Sequence, residues 1–205
     1  MFKRIQNLFG VKEEAKPITI VSGLPRSGTS MMMKILEAGG LLPLTDSIRT
    51  ADTDNPKGYY ELERVKQLPK GDSAWLLEAQ GKAVKVIAIF LPHLPTDYNY
   101  RIIFMRRAMP EILASQREMI IRRGEDPDKV SDAEMSRLYE KHLHHVNAWL
   151  DQQSHIQRID VHYNQLLQNS RSELARINQF LGNTLNLEKM VEIVDPSLYR
   201  QRRQS

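Results

Sequence analysis

Residues 18–30 hold the sequence feature that most constrains the fold: a strand that runs into a glycine-containing loop and then a helix. The run Ile18–Ser22 precedes Gly23, and Gly28 follows five positions later, just before the helical pattern Met31–Ala38. Glycine has no Cβ and adopts positive φ easily, so such a loop can turn tightly and approach an anion. The first amides of a helix carry about half a positive charge, which attracts phosphate. This order of elements predicts a loop that binds a phosphate ester.

The cation in this loop does not stand where an ATP-binding P-loop has its lysine. In that motif the lysine directly follows the second glycine, whereas this chain has Thr29 there. The cation is instead Arg26, inside the loop. We therefore expect a phosphate ester other than the ATP of a standard ATPase.

Length and composition predict one domain over residues 17–199, with an N-terminal extension (1–16) and a basic tail (200–205). Of the 205 residues, 41% are hydrophobic and none is cysteine, so a core is expected and disulfides and thiolate ligands are excluded. The formal net charge of +4 favours an anionic partner, for which a small polyanion suffices; we expect no nucleic acid. No apolar run reaches the ~20 residues of a membrane helix. We expect no stable membrane insertion and a cytoplasmic location.

Strand and helix patterns alternate along the chain, which is typical of an α/β fold. Buried strands are expected at Ile18–Ser22, Ala83–Phe90, Arg101–Met105 and Ile156–Val161. Helices are expected at 31–38, 61–68, 110–123, 131–152, 163–167 and 171–181. We predict a three-layer sandwich with a mainly parallel central sheet, of the P-loop nucleotide-binding type. In such a sheet the ligand lies at the carboxyl ends of the strands.

A second set of polar residues follows the predicted strand Arg101–Met105. Arg107 lies at the end of this strand and Ser115 eight residues later on the next helix, so both can reach the edge of the sheet that carries the first loop. A guanidinium fork and a hydroxyl suit a second phosphate. A simple ion pair between Arg107 and Glu111 is the alternative explanation. Arg106 competes with Arg107 as the phosphate ligand.

Together, these two sets of residues resemble the sulfotransferases that use 3′-phosphoadenosine-5′-phosphosulfate (PAPS). Pro25–Ser30 is similar to the family's 5′-phosphosulfate loop, and Arg107 with Ser115 is similar to its 3′-phosphate pair. Weaker similarities extend the resemblance over roughly residues 17–199: Asp54–Glu61, Tyr163–Leu167 and Phe180–Gly182. The chain departs from the family's common pattern in Ala108–Pro110, and in Arg26, where many members have lysine.

The resemblance implies transfer of a sulfuryl group from PAPS to a hydroxyl or amine of a small molecule or glycan, without a metal. It implies a donor site formed by Arg26, Ser27, Gly28, Thr29, Ser30, Arg107 and Ser115. Arg26 would also stabilise the leaving oxygen. Lys85, a charge in an otherwise apolar predicted strand, would contact the sulfuryl oxygens. Glu61 is our first candidate for the base that removes the acceptor's proton, ahead of His93.

Three other interpretations stay open from the sequence. A nucleotide or small-molecule kinase would need a loop lysine and an acidic metal ligand, for which Asp160 is the candidate. A non-catalytic nucleotide-binding module could use the same scaffold, because a fold does not determine a function. His142 and His145 lie three apart on a predicted helix and could share a metal ion, but no motif supplies the remaining ligands.

Overall fold

A parallel sheet forms the centre of the protein in a computed structural model that describes residues 15–46 and 60–194. Within these residues the strands are β1 (Ile18–Gly23), β2 (Ala83–Lys85), β3 (Tyr100–Arg106) and β4 (Ile156–His162). Their order across the sheet is β2-β1-β3-β4, and every neighbouring pair is parallel. The first strand therefore lies between the second and the third.

Helices occupy most of the chain between and after these strands. The α-helices of the described residues are α1 (Thr29–Ala38), α2 (Leu76–Ala79), α3 (Met109–Arg122), α4 (Asp132–Leu150), α5 (Tyr163–Gln168), α6 (Ser170–Phe180) and α7 (Leu187–Ile193). Two 3₁₀ helices, Glu63–Lys70 and Ala88–His93, lie on either side of β2 in the sequence. None of the described helices is long and apolar enough to cross a membrane.

Helices cover both faces of the sheet, so the predicted three-layer α/β sandwich is confirmed. All six residues of β1 are buried, as expected for a strand of a parallel sheet covered on both faces. Ile18 and Ile20 pack in one core with α2, α4 and the two 3₁₀ helices. Val21 packs in the other core with α1, α5, α6 and α7.

The second strand is shorter than its apolar sequence predicts. We expected a strand over Ala83–Phe90, but the pairing ends after Val86, whose amide still donates to the carbonyl of Val21. The rest of the apolar run forms the 3₁₀ helix Ala88–His93. Ala88, Leu91 and Leu94 are buried at intervals of three residues, which matches the three residues per turn of that helix.

The helix that follows Glu61 differs in type from the prediction. We expected an α-helix over Glu61–Leu68, whereas the structure has a 3₁₀ helix over Glu63–Lys70. Its buried residues, Val65 and Leu68, again lie three apart. The four helices predicted after residue 100 agree with α3, α4, α5 and α6 to within two residues at each end, whereas α2 and α7 were not predicted. The Ser131 hydroxyl, for example, accepts a hydrogen bond from the amide of Glu134 and caps α4.

Several predicted features lie outside the described residues. These are most of the N-terminal extension, the segment Asp54–Tyr59 of the proposed family motif, and the basic tail. The domain limits of 17 and 199 therefore stay a prediction.

Candidate active site

The candidate site residues lie at the point where successive strands are added on opposite sides of β1. From β1 the chain crosses to β2 on one side and then passes to β3 on the other. In an open parallel sheet, such a switch point leaves a crevice at the carboxyl ends of the strands, where ligands bind. The loop after β1 and the residues after β3 flank this crevice, and Lys85 ends β2.

The loop after β1 is shaped by three residues with positive φ. These are Gly23 (144°), Arg26 (68°) and Gly28 (99°). For a residue with a Cβ, the left-handed region costs roughly 1–2 kcal/mol, so the Arg26 backbone is strained. Strain of this kind clusters at ligand-binding sites because the surrounding structure has to hold it in place.

Ser27 closes this loop with both of its donors. Its hydroxyl donates to the carbonyl of Leu24 at 2.7 Å, and its amide donates to the same carbonyl at 3.2 Å. The Ser27 side chain is fully buried. Its hydroxyl therefore shapes the loop and does not point at an anion.

Both loop glycines are needed for packing as well as for their φ angles. A Cβ on Gly23 would lie 2.6 Å from Ser27 Oγ and 2.7 Å from the carbonyl oxygen of Met105. A Cβ on Gly28 would lie 2.6 Å from Cδ2 of Tyr163. The clashes are with the protein itself, so the absence of a Cβ lets β1 and its loop fit against β3 and α5. This packing role adds to the tight turn and the approach of an anion that the sequence predicts for these glycines.

The helix that follows the loop directs its first amides at the crevice. Gly28 is the N-cap of α1 and has no side-chain cap. The first N–H groups of a helix have no acceptor within the helix, and they carry its positive dipole end. Thr29 and Ser30 provide the first of these amides. The arrangement suits an anion at the mouth of the loop.

The loop is in direct contact with the residues that follow β3. Arg26 Nε donates to Ser115 Oγ at 3.0 Å, and Arg107 Nη1 donates to the backbone carbonyl of Arg26 at 3.1 Å. Ser115 is buried on the second turn of α3. The two sets of residues that the sequence analysis assigned to two phosphates therefore lie within one site.

Arg107 is buried and also makes the ion pair that the alternative explanation required. Its Nε donates to Glu111 Oε2 at 2.9 Å, and the two side chains are 8% and 4% exposed. The guanidinium stacks over the ring of Tyr163, 4.5 Å from the centroid. Burial raises the pKa of the Tyr163 phenol, and the positive charge of Arg107 opposes that shift. The ion pair and the loop contact coexist, because the guanidinium uses different nitrogens for each.

Arg106 is turned towards the other face of the sheet. It donates to Asp160 Oδ1 at 3.0 Å and to Asn147 Oδ1 at 2.7 Å, and its guanidinium lies 4.1 Å from the ring centroid of Phe104. These contacts tie β3 to β4 and α4. Arg107 is thus the arginine that faces the loop. The same ion pair engages Asp160, the metal ligand that a kinase would have needed.

A third cluster lies at the end of β2. Lys85 Nζ is 3.3 Å from Glu61 Oε1 and 3.5 Å from Ser30 Oγ. The side chains of Lys85 and Glu61 are 7% and 23% exposed. A buried ammonium beside a carboxylate and the first turn of α1 can stabilise negative charge that forms at the loop.

The family model of the sulfotransferase domain matches residues 16–205 of the chain. The chain belongs to the sulfotransferase domain family. Among proteins of curated function, none matches the sequence. Transfer of a sulfuryl group is the family's activity, so this protein is a sulfotransferase, and its family typically uses PAPS as the donor.

Two solved structures share the fold of this sulfotransferase. Sulfotransferase STF9 from Mycobacterium avium aligns with a TM-score of 0.55 and 12% identity over 98% of this chain and 73% of that chain. The sulfotransferase domain from the curacin biosynthetic pathway aligns with a TM-score of 0.51 and 13% identity, over 88% of this chain and 78% of that chain. At such low identity the likeness shows the fold alone.

No histidine is among the described residues that form these three clusters. His93 is exposed at the end of its 3₁₀ helix. Residues 15–46 and 60–194 contain no group of three or more His, Asp or Glu placed to hold a metal. Burial and the neighbouring His145 lower the pKa of His142.

Sequence reasoning missed the residues that hold the predicted site residues in place. The Thr45 hydroxyl donates to the carbonyl of Glu61 at 2.7 Å, and Asp46 accepts from the amide of Glu63. Asn164 donates to Glu111, the partner of Arg107. Asn164 belongs to the segment Tyr163–Leu167 that resembled the family, and that resemblance was the one available signal. Thr45 and Asp46 lie in the long polar connection that begins at Pro43, and the length of such a connection often indicates function.

Proposed function

We propose that this sulfotransferase takes its sulfuryl group from PAPS and transfers it to a hydroxyl or amine of a small molecule or glycan. One observation carries the proposal. The contacts of Arg26 with Ser115 and of Arg107 with the Arg26 carbonyl bring together the two sets of residues that we propose to bind anions. A nucleotide phosphorylated at both its 5′ and 3′ positions is a ligand that needs both sets.

The loop side of the site is suited to the leaving group. Transfer of a sulfuryl group leaves negative charge on the 5′-phosphate, and by analogy with phosphoryl transfer, positioning and electrostatics dominate catalysis. In our proposal, Arg26 and the amides of Gly28, Thr29 and Ser30 donate hydrogen bonds to the charged oxygen of the leaving phosphate. Removal of one such donor typically costs about 2.7–4 kcal/mol in the transition state.

Arg107 and Ser115 are the proposed ligands of the 3′-phosphate, which takes no part in the reaction. In the structure Ser115 accepts its hydrogen bond from Arg26. The Ser115 hydroxyl uses only an acceptor lone pair in this contact and keeps its own hydrogen, so it can accept from Arg26 and donate to the phosphate at the same time. Its bond to the phosphate would be charge-assisted, because the acceptor is ionised.

The cluster at the end of β2 is the proposed catalytic end. Glu61 would accept the acceptor's proton, and Lys85 would stabilise the sulfuryl oxygens. Support comes from the contact between the two side chains and from the position of Ser30 beside them. A cytoplasmic location, expected from the sequence, stays a prediction.

Binding calorimetry with adenosine 3′,5′-bisphosphate, AMP and ATP tests the proposal, with and without magnesium. We expect the bisphosphate to bind without magnesium and more tightly than the other two nucleotides. A ligand at one hundred times its dissociation constant adds about 2.7 kcal/mol of stability, so thermal shifts provide a second readout. Tight ATP binding that requires magnesium would instead support a kinase. Tight bisphosphate binding without any turnover of PAPS would support a non-catalytic module.

A further inference from the structure

The buried carboxylate of Glu111 connects two parts of the chain that are far apart in sequence. Its Oε2 accepts from Arg107 Nε at 2.9 Å, and its Oε1 accepts from Asn164 Nδ2 at 3.0 Å. Glu111 is 4% exposed. Each carboxylate oxygen thus has its own donor, one from the end of β3 and one from the start of α5.

The residue before Asn164 contacts the same arginine from another side. The ring of Tyr163 lies beneath the Arg107 guanidinium at 4.5 Å, and the same ring packs so closely on Gly28 that a Cβ there would clash. The start of α5 therefore touches the phosphate loop, Arg107 and the partner of Arg107.

These contacts restrict the guanidinium in a way that one ion pair would not. Arginine presents five N–H groups in a planar fork. Nε is directed at Glu111 and one Nη1 hydrogen at the Arg26 carbonyl, while the Tyr163 ring lies against the guanidinium. Together these contacts restrict the orientation of the guanidinium.

We propose that Glu111 and Asn164 are positioning residues that hold the Arg107 guanidinium in the orientation that binds the 3′-phosphate of the donor. They determine how strongly the site prefers a 3′-phosphorylated nucleotide over one without that phosphate. This inference rests on the proposed function, because it needs Arg107 to bind that phosphate. If the contacts of Glu111 with Arg107 and Asn164 only stabilised the fold, their loss would change the affinities for both nucleotides equally.

Asn164→Ala is the first test, with Gln165→Ala as the matched control on the next, exposed residue of α5. The affinities for adenosine 3′,5′-bisphosphate and AMP are measured by calorimetry, together with thermal stability. We expect Asn164→Ala to weaken bisphosphate binding about tenfold and to leave AMP binding within twofold. The control should change neither. An equal loss for both nucleotides, or no loss for either, would overturn the inference.

Reversing the polarity of the hydrogen bond provides a rescue. In Glu111→Gln the oxygen of the new side-chain amide can accept from Arg107. Its NH2 group then faces the NH2 group of Asn164, and two donors cannot form a hydrogen bond. In Asn164→Asp two carboxylates face each other. The double variant restores one donor and one acceptor, so we expect it to recover much of the preference that each single variant loses. A double variant no better than the worse single variant would contradict the positioning role.

Arg107→Gln separates this inference from the proposal on which it rests. If the wild type prefers the bisphosphate and Arg107→Gln abolishes that preference, the donor site is supported. A preference that then survives in Asn164→Ala overturns the positioning role alone. If the wild type shows no preference for the bisphosphate, or if Arg107→Gln keeps the wild-type preference, the assignment of Arg107 and the inference both fail.

Discussion

Replacing Lys85 by methionine separates catalytic from structural roles at the end of β2. Methionine has a similar length and no charge, and it suits the buried strand position. The Lys85 side chain is 7% exposed, with its Nζ 3.3 Å from Glu61 Oε1. The substitution removes the ammonium and leaves a carboxylate that is 23% exposed and can be hydrated.

The attraction within this ion pair and the cost of removing Lys85 from water nearly cancel in the free energy of folding. At 3.3 Å and an effective dielectric constant of about 20, the attraction is about 5 kcal/mol. Removing a lysine from water also costs several kcal/mol. Removing one partner of a fully buried pair would cost about 3–5 kcal/mol, because the other charge stays uncompensated. Glu61 is 23% exposed, however, so water can hydrate its carboxylate and reduce this cost. A net change within about 1 kcal/mol shifts the melting temperature by roughly 2–4 °C in a chain of this size. The loss of a charge that stabilises the transition state lowers turnover by about 10²–10³-fold.

The assay is the release of sulfate from PAPS to water, which needs no knowledge of the acceptor, combined with a thermal melt. We expect Lys85→Met to slow this release at least a hundredfold while the melting temperature stays within about 4 °C. Lys82→Met, just before β2, is the matched control and should retain the wild-type rate. A rate within threefold of wild type refutes the catalytic role of Lys85. If activity falls only in proportion to the fraction of unfolded protein, the argument that the attraction and the desolvation cost nearly cancel is refuted.

Three further predictions concern the loop, the Glu61 segment and α4. Gly28→Ala introduces both backbone strain and a clash with the tyrosine ring that begins α5, whereas Gly40→Ala, at φ 102° with no atom within 4 Å, introduces strain alone. Thermal melts should therefore show the larger loss for Gly28→Ala, and equal losses would contradict the packing role. Thr45→Val removes a 2.7 Å hydrogen bond to the Glu61 carbonyl, so turnover should fall about tenfold while bisphosphate affinity is unchanged. The lowered pKa of His142 means that its neutral form is preferred in the folded state. The stability that neutral His142 contributes is present above about pH 6.5 and is lost as the pH falls through its folded-state pKa. Between pH 7.5 and 5, urea denaturation should therefore show a smaller loss of unfolding free energy for His142→Gln than for the wild type.

The sequence predicted the parallel sheet and the ends of most helices because local patterns specify them. The 3₁₀ helix Ala88–His93 was missed because an apolar run does not reveal its period when almost every residue is apolar. The side-chain period of two in a strand does distinguish Arg106, the last residue of β3, from Arg107, which follows it. Phe104 and Arg106 share a face, so Arg106 belongs with α4, and this rule was available from the sequence.

The supporting contacts of the site were not available from sequence. Asn164 and Glu111 are 53 positions apart, and Glu61 and Lys85 are 24 apart. No local pattern connects such pairs, since each depends on how the strands are ordered in the sheet. The charged residues that carry the proposed chemistry could be named one by one, but their pairing required the fold.

The strand order also gives the proposed donor a direction. Neighbouring strands lie about 4.8 Å apart, so the ends of β2 and β3 are roughly 10 Å apart on either side of β1. Arg107 and Ser115 lie on the β3 side, and Lys85 and Glu61 lie on the β2 side. If the 3′-phosphate binds on the β3 side and the β1 loop holds the 5′ end, the reacting group points towards β2. The acceptor then has to approach from the β2 side, beside Thr45 and Glu61. Substitutions of described residues next to these two should change acceptor choice without changing donor affinity.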